Sequence, residues 1–153
     1  MTPEEKITAL GITLAAPPAP LGAYVPVRGT GENLLFLSGM LPLVDGRLMR
    51  TGRVGDKITA EEGAMLARTA AINALSVLKS HIGELGKIKR CIKVTGYVAS
   101  AEGFTGQAAV LNGASELMVE VFGEAGRHAR AAVGVSVLPL DSPVEVEFIF
   151  EVE

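Results

Sequence analysis

Residues 144–152 read VEVEFIFEV, and this stretch decides the fold class. Val144, Val146, Phe148, Phe150 and Val152 alternate with Glu145, Glu147, Ile149 and Glu151. Successive side chains of a strand point to opposite faces, so a period of two that sorts apolar from acidic residues predicts a strand buried on one side only. Whatever covers that apolar side has to be supplied elsewhere in the chain.

Two helical stretches supply the cover. From Thr59 the sequence TAEEGAMLARTAAINALSVLKSHIG opens with a Thr followed three residues later by Glu62, the spacing of a capping box. Ala64, Ala67, Ala71, Ala74, Leu75 and Leu78 recur at helical spacing, and so many alanines permit close approach to a sheet. Gly83 or Gly86 ends this helix. A second helix is predicted over residues 104–122, with Leu111, Ala114, Met118 and Val121 as its buried stripe and Gly123 as its stop.

The remaining strands follow from punctuation. AYVPVRG and NLLFLSG are apolar runs separated by Gly29, Thr30, Gly31 and Glu32, a hairpin signal, and Asp45-Gly46 turns into a short third strand around residues 47–50. IKRCIKVTGYVAS is a strand placed centrally, and residues 131–138 form another, joined to the final strand by PLDSP. The order β-β-β-α-β-α-β-β describes an α+β two-layer sandwich with two helices on one face, and the uncovered face must meet water or another subunit. Residues 4–14 suit a short helix, and Pro17, Pro18 and Pro20 then forbid a regular ladder, so residues 1–20 read as an N-terminal arm and 21–153 as a single domain.

Composition excludes several function classes. The 153 residues carry 14 Lys and Arg against 17 Asp and Glu, a net charge of −3, with the basic residues dispersed. This gives no electrostatic footprint for nucleic acid or an anionic membrane surface. No apolar run approaches the roughly 18 residues of a membrane span, and MTPEEKITALG lacks the basic and apolar regions of an export signal. The lone Cys91 has no partner for a disulfide and reads as a buried core residue, so a cytoplasmic setting is expected. His81 and His128 show no metal-ligand spacing, so no metal is expected. Neither a dinucleotide loop nor GxxxxGK[ST] occurs, and LSGM around Ser38 is not a nucleophile elbow.

The stretch GRHARAAVGVSVLPLDSPVEVEF is more informative. Arg130 stands at the entrance of an otherwise apolar strand, where its planar fork can take a carboxylate in two parallel hydrogen bonds. Glu145 is the complementary acid, and an antiparallel hairpin of the last two strands would put both on one sheet, the Glu orienting a water or pairing the guanidinium. Pattern alone favours a solvated turn for Arg127 and Arg130 and a wet strand face for Glu145. His128 reads as a surface turn residue and Tyr24 as a rim contact.

With these residues in place, the chain resembles the RidA (YjgF-like) family of reactive-intermediate imine deaminases, whose members are often described as L-PSP endoribonucleases. The resemblance runs from about Leu21 to the C-terminus through LGAYVPV, FLSGMLP, ARTAAINALSVL and RAAVGVSVLP followed six residues after Pro139 by Glu145. It implies a chorismate-mutase-like fold with a mixed sheet, a homotrimer with the sheets meeting as an inner barrel, and a ligand cleft at each subunit interface. It further implies that Arg130 binds a substrate carboxylate and Glu145 helps place a water. Tyr24, Ser38 and Gly39 match cleft positions, Gly39 through its backbone, and Asn112 resembles the helix Asn of the family. The implied reaction is hydrolysis of a small 2-enamino or 2-imino acid to a 2-keto acid and ammonia.

Such an imine carbon is already electrophilic, so orientation and a placed water suffice and no cofactor is expected. The chain departs from the family at Ala132, where many members carry Cys, in the second helix with its ELMVEVFG, in one residue inserted before Arg130, and in the N-terminal arm. These departures describe a divergent subgroup. A trimeric binding protein for a small carboxylate metabolite, without turnover, is the alternative. An endoribonuclease ranks below both because RNA binding calls for a basic track.

Overall fold

Thr59 starts the longest helix as its sequence requires. In the computed structural model, which describes all residues from Met1 to Glu153, the Thr59 hydroxyl accepts the Glu62 N–H at 3.1 Å and the Glu62 carboxylate accepts the Thr59 N–H at 3.3 Å. The helix runs Ala60–Ile82 and stops at Gly83. The second long helix spans Gln107–Phe122 and ends at Gly123. It begins three residues later than the pattern predicts, with Gly106 as its N-cap and no side chain capping it. The two helices pack through small residues: Ala67, Ala70, Ala71 and Ala74 are wholly buried. At Gly113 a Cβ would overlap the Ala64 carbonyl, so no larger residue permits this approach.

A short helix, Pro3–Ala9, precedes them, so with the helices numbered in chain order it is α1, and Ala60–Ile82 and Gln107–Phe122 are α2 and α3. The sequence reading of residues 4–14 overran its end. This helix belongs to the folded body, because Ile7 is buried in the core and the Glu4 carboxylate accepts the Leu85 N–H at 2.7 Å.

Seven strands complete the fold. They are β1 (Val27–Gly29), β2 (Leu34–Leu37), β3 (Leu43–Val44), β4 (Arg47–Leu48), β5 (Ile88–Ala99), β6 (Ala129–Val135) and β7 (Val144–Val152). Five of them form a sheet in the order β1-β2-β7-β5-β6, mixed because β5 and β6 run parallel while the other pairs are antiparallel. Two expectations need correction. The third strand is not in this sheet: it pairs across Asp45-Gly46 with Leu43–Val44 as a separate two-stranded ribbon. Nor do the last two strands form a hairpin, since β5 lies between them. A helix such as α3 returns the chain in the direction of β5, so β6 adds parallel to one edge of β5 and leaves the other edge to β7.

The alternation in β7 holds as read. Val144, Val146, Phe148 and Phe150 are buried against the helices, and Phe148 stacks on Phe150 with ring centroids 5.8 Å apart. Glu145, Glu147, Ile149 and Glu151 occupy the face that no helix covers. On that open face Phe36 and Val133 are each 42% exposed. The architecture is thus the α+β two-layer sandwich expected.

Candidate active site

Arg130 lies on β6, in register with Val94 of β5, which is buried beneath the helices. Arg130 therefore points to the helix side of the sheet, toward α3. There its Nη1 donates to Asn112 Oδ1 at 2.8 Å and to Ser115 Oγ at 3.1 Å. Asn112 and Ser115 are three apart on a helix and so share one face. With both Nη1 hydrogens spent, the edge formed by Nε and Nη2 remains, and that edge matches the spacing of a carboxylate. None of the chain's five ion pairs involves Arg130. The guanidinium borders a polar hollow of about 470 Å³ with His128, Arg127, Glu116 and Glu120.

Glu145 borders a different hollow, of about 500 Å³. Its walls are mostly apolar: Met40, Leu41, Leu43 and Val77 with Pro18 and Pro20 of the N-terminal arm. Burial pushes the Glu145 carboxyl above the ordinary glutamate range, and the nearby Glu147 charge pushes the same way. Tyr24, Ser38 and Gly39 line this hollow too. The Ser38 hydroxyl donates to the Val25 carbonyl at 2.6 Å, and the exposed Tyr24 accepts the Leu21 N–H at 3.1 Å. Gly39 lets the Glu145 carboxylate lie close against the backbone, since a Cβ there would overlap it and force the carboxylate to move. Pro139 reaches the hollow from a turn in which Leu140 and Asp141 both take positive φ, 60° and 58°. Two non-glycine residues so held store of order 1–3 kcal/mol each.

The site residues read from the sequence thus fall into two groups. Tyr24, Ser38, Gly39 and Glu145 meet in one hollow, and Arg130 and Asn112 in the other. Glu145 is in register with Tyr97 and Arg130 with Val94, positions an odd number of residues apart on β5, so the two side chains leave opposite faces of the sheet. Glu145 therefore cannot pair the guanidinium within this chain, because the two side chains lie on opposite faces of the sheet. Ala132, two residues from Arg130, shares the helix side and packs against the core opposite Gly96.

Sequence reading missed Ser115, whose only signal was its spacing from Asn112. It also misplaced His128. This residue is half buried, its ring between Ser115 Oγ at 2.9 Å and the Gly126 carbonyl at 2.7 Å. Cys91 is buried as expected, and burial pushes its thiol up to about 12. The structure holds no cluster of three or more His, Cys, Asp or Glu side chains placed for a metal ion. No helix is long and apolar enough to cross a membrane.

The family described as "YjgF/chorismate mutase-like, putative endoribonuclease" matches residues 4–152. The chain belongs to this family. Protein TCP17 of Trypanosoma cruzi is 43% identical over 143 residues, 93% of this chain and 89% of that protein. Two solved structures of similar size agree. Atu1372 of Agrobacterium tumefaciens, of unknown function, superposes with a TM-score of 0.92 at 41% identity, covering 99% of this chain and 92% of its own. A Shewanella oneidensis MR-1 protein given the same endoribonuclease description reaches 0.96 at 36% identity, covering 99% and 100%. Membership in the YjgF-like family accounts for the fold and makes a role with small molecules, as binder or deaminase, consistent with both hollows.

Proposed function

We propose that this protein hydrolyses small 2-imino acids, and their 2-enamino tautomers, to 2-keto acids and ammonia. The observation that carries the reading is Arg130, anchored along one edge by α3 and unpaired along the edge that fits a carboxylate. The proposal includes a homotrimer in which the open sheet faces meet and the Arg130 hollow of one subunit adjoins the Glu145 hollow of the next. The exposed Phe36 and Val133 on that face support such an assembly.

In the completed cleft Arg130 holds the substrate carboxylate and so fixes the neighbouring C2. Glu145, made more basic by its apolar walls, takes a proton from a water as the water oxygen bonds to C2 and the C=N electrons move to nitrogen. The proton passes to that nitrogen. The resulting amino alcohol then expels ammonia as its hydroxyl becomes the keto group. One water is consumed, the bonds balance, and no group from outside the chain is called for.

The test is hydrolysis of freshly generated 2-iminobutyrate by purified protein. Acceleration over buffer that disappears in Arg130→Ala supports the reading; no acceleration, or an unchanged rate in that variant, overturns it. Carboxylate binding without product would instead identify a binding protein. RNA cleavage fits less well, because a chain of net charge −3 offers no basic track for a phosphate backbone.

A further inference from the structure

The hydrogen bonds behind Arg130 can be assigned donor by donor. The Gly126 carbonyl can only accept, so His128 Nδ1, 2.7 Å away, carries a hydrogen and donates it. In the neutral ring Nε2 is then an acceptor, and its neighbour at 2.9 Å, the Ser115 hydroxyl, must be the donor. Arg130 can only donate, so Ser115 Oγ accepts from Nη1 while its own hydrogen goes to His128. The order is therefore Arg130 to Ser115 to His128 to Gly126, every step with the sign its neighbours require. Gly126 is itself buried, at the end of the turn that follows α3.

Two further facts favour this neutral state. Burial holds the His128 imidazole below the ordinary histidine range, and repulsion from Arg130 adds to that, outweighing the Gly126 hydrogen bond. Protonation would also turn Nε2 into a donor, setting two cations against a single serine oxygen and leaving the serine hydrogen without its acceptor. The other charged groups around this hollow are Arg127 and Glu124, which pair with each other at 3.0 Å, Glu120, which pairs with Arg68 at 2.8 Å, and Glu116.

We infer that Ser115 and His128 are positioning residues for carboxylate recognition: they hold the Nη1 side of Arg130 against α3 and leave its Nε and Nη2 edge facing the substrate. Neither residue touches the reacting atoms. The inference rests on the reading of Arg130 as a carboxylate ligand. Anchoring by Asn112 alone would let the guanidinium turn about that single bond, and much of its bidentate geometry would be lost.

The experiment separates this role from the reaction. Binding of 2-ketobutyrate, a carboxylate that cannot be deaminated, is measured by calorimetry beside imine kinetics, with Arg130→Ala as reference. Ser115→Ala and His128→Ala are expected to raise both the dissociation constant and KM about 10-fold while kcat stays within about 2-fold. Ser115→Thr, which keeps the hydroxyl, should restore binding, a rescue that a packing role would not produce. Unchanged binding in Ser115→Ala and in His128→Ala overturns the positioning role and leaves Arg130 standing. A fall in kcat alone, or no rescue by Thr, overturns it as well. If the unaltered protein binds no carboxylate, the reading of Arg130 and this inference fall together.

Discussion

The hollows around Glu145 and Arg130 enclose nearly equal volumes, about 500 and 470 Å³, but differ in every other respect. One lies among aliphatic and proline side chains with a carboxyl of raised pKa; the other is almost wholly polar, with a guanidinium anchored on a helix. Neither alone holds both the anion-binding and the proton-accepting group that imine hydrolysis needs. Under the proposed function the difference is a division of labour: one hollow would orient the substrate, the other would supply a base, and the reaction would belong to their junction.

The largest expected effect tests that junction. Arg130→Ala and Glu145→Gln should each lower kcat/KM by about 100-fold or more, the range for loss of orientation or of general base catalysis. Mixed after dissociation and reassembly, the two inactive variants should recover about a quarter of the activity, because in a closed ring that fraction of clefts pairs an intact Arg130 with an intact Glu145. No recovery would place both groups of a cleft in one subunit. Gly39→Ala is the next probe. Its methyl must displace the Glu145 carboxylate, so turnover should fall about 10-fold while carboxylate binding at Arg130 holds. Equal losses in both would show the hollows are not independent.

Titration gives subtler contrasts. Glu145 has a raised pKa, so the folded state binds its proton more tightly and loses stability as pH climbs through and above the ordinary glutamate value. Glu145→Gln should therefore gain Tm over the unaltered protein at pH 7 relative to pH 4, even as it loses activity. His128 behaves oppositely. Its lowered pKa means the unfolded chain takes the proton first, so stability should fall as pH drops below about 6.5, and His128→Gln should flatten that slope. The smallest effect is expected at Cys91, whose buried thiol should resist alkylation until the protein is unfolded.

Local pattern was enough for α2 and for β7. Thr59 with Glu62, the alanine series and the Val/Phe against Glu alternation each depend on neighbours within a few residues, and each appears where read. Motifs matched to a family pointed to Tyr24, Ser38, Gly39 and Glu145, but gave no sign that they lie in a hollow separate from Arg130 and Asn112. Strand order did not follow: the hairpin expected of the last two strands assumed that neighbours in sequence pair, whereas α3 carries β6 to the far edge of β5.

The orientation of Arg130 was equally illegible. Ala129–Val135 reads ARAAVGV, small and apolar at nearly every position, so no period of two reveals which residues face the helices. Only pairing with Val94 settles it. The bond from Ser115 to His128 spans 13 residues and joins a helix to the segment entering a strand, a contact no local pattern encodes. Secondary structure and the buried face of β7 are therefore properties of this sequence read a few residues at a time, because hydrogen bonding and amphipathicity act over that range. The placement of Arg130 and Glu145 on opposite faces is a property of the assembled sheet, because register and strand order arise only when distant segments meet.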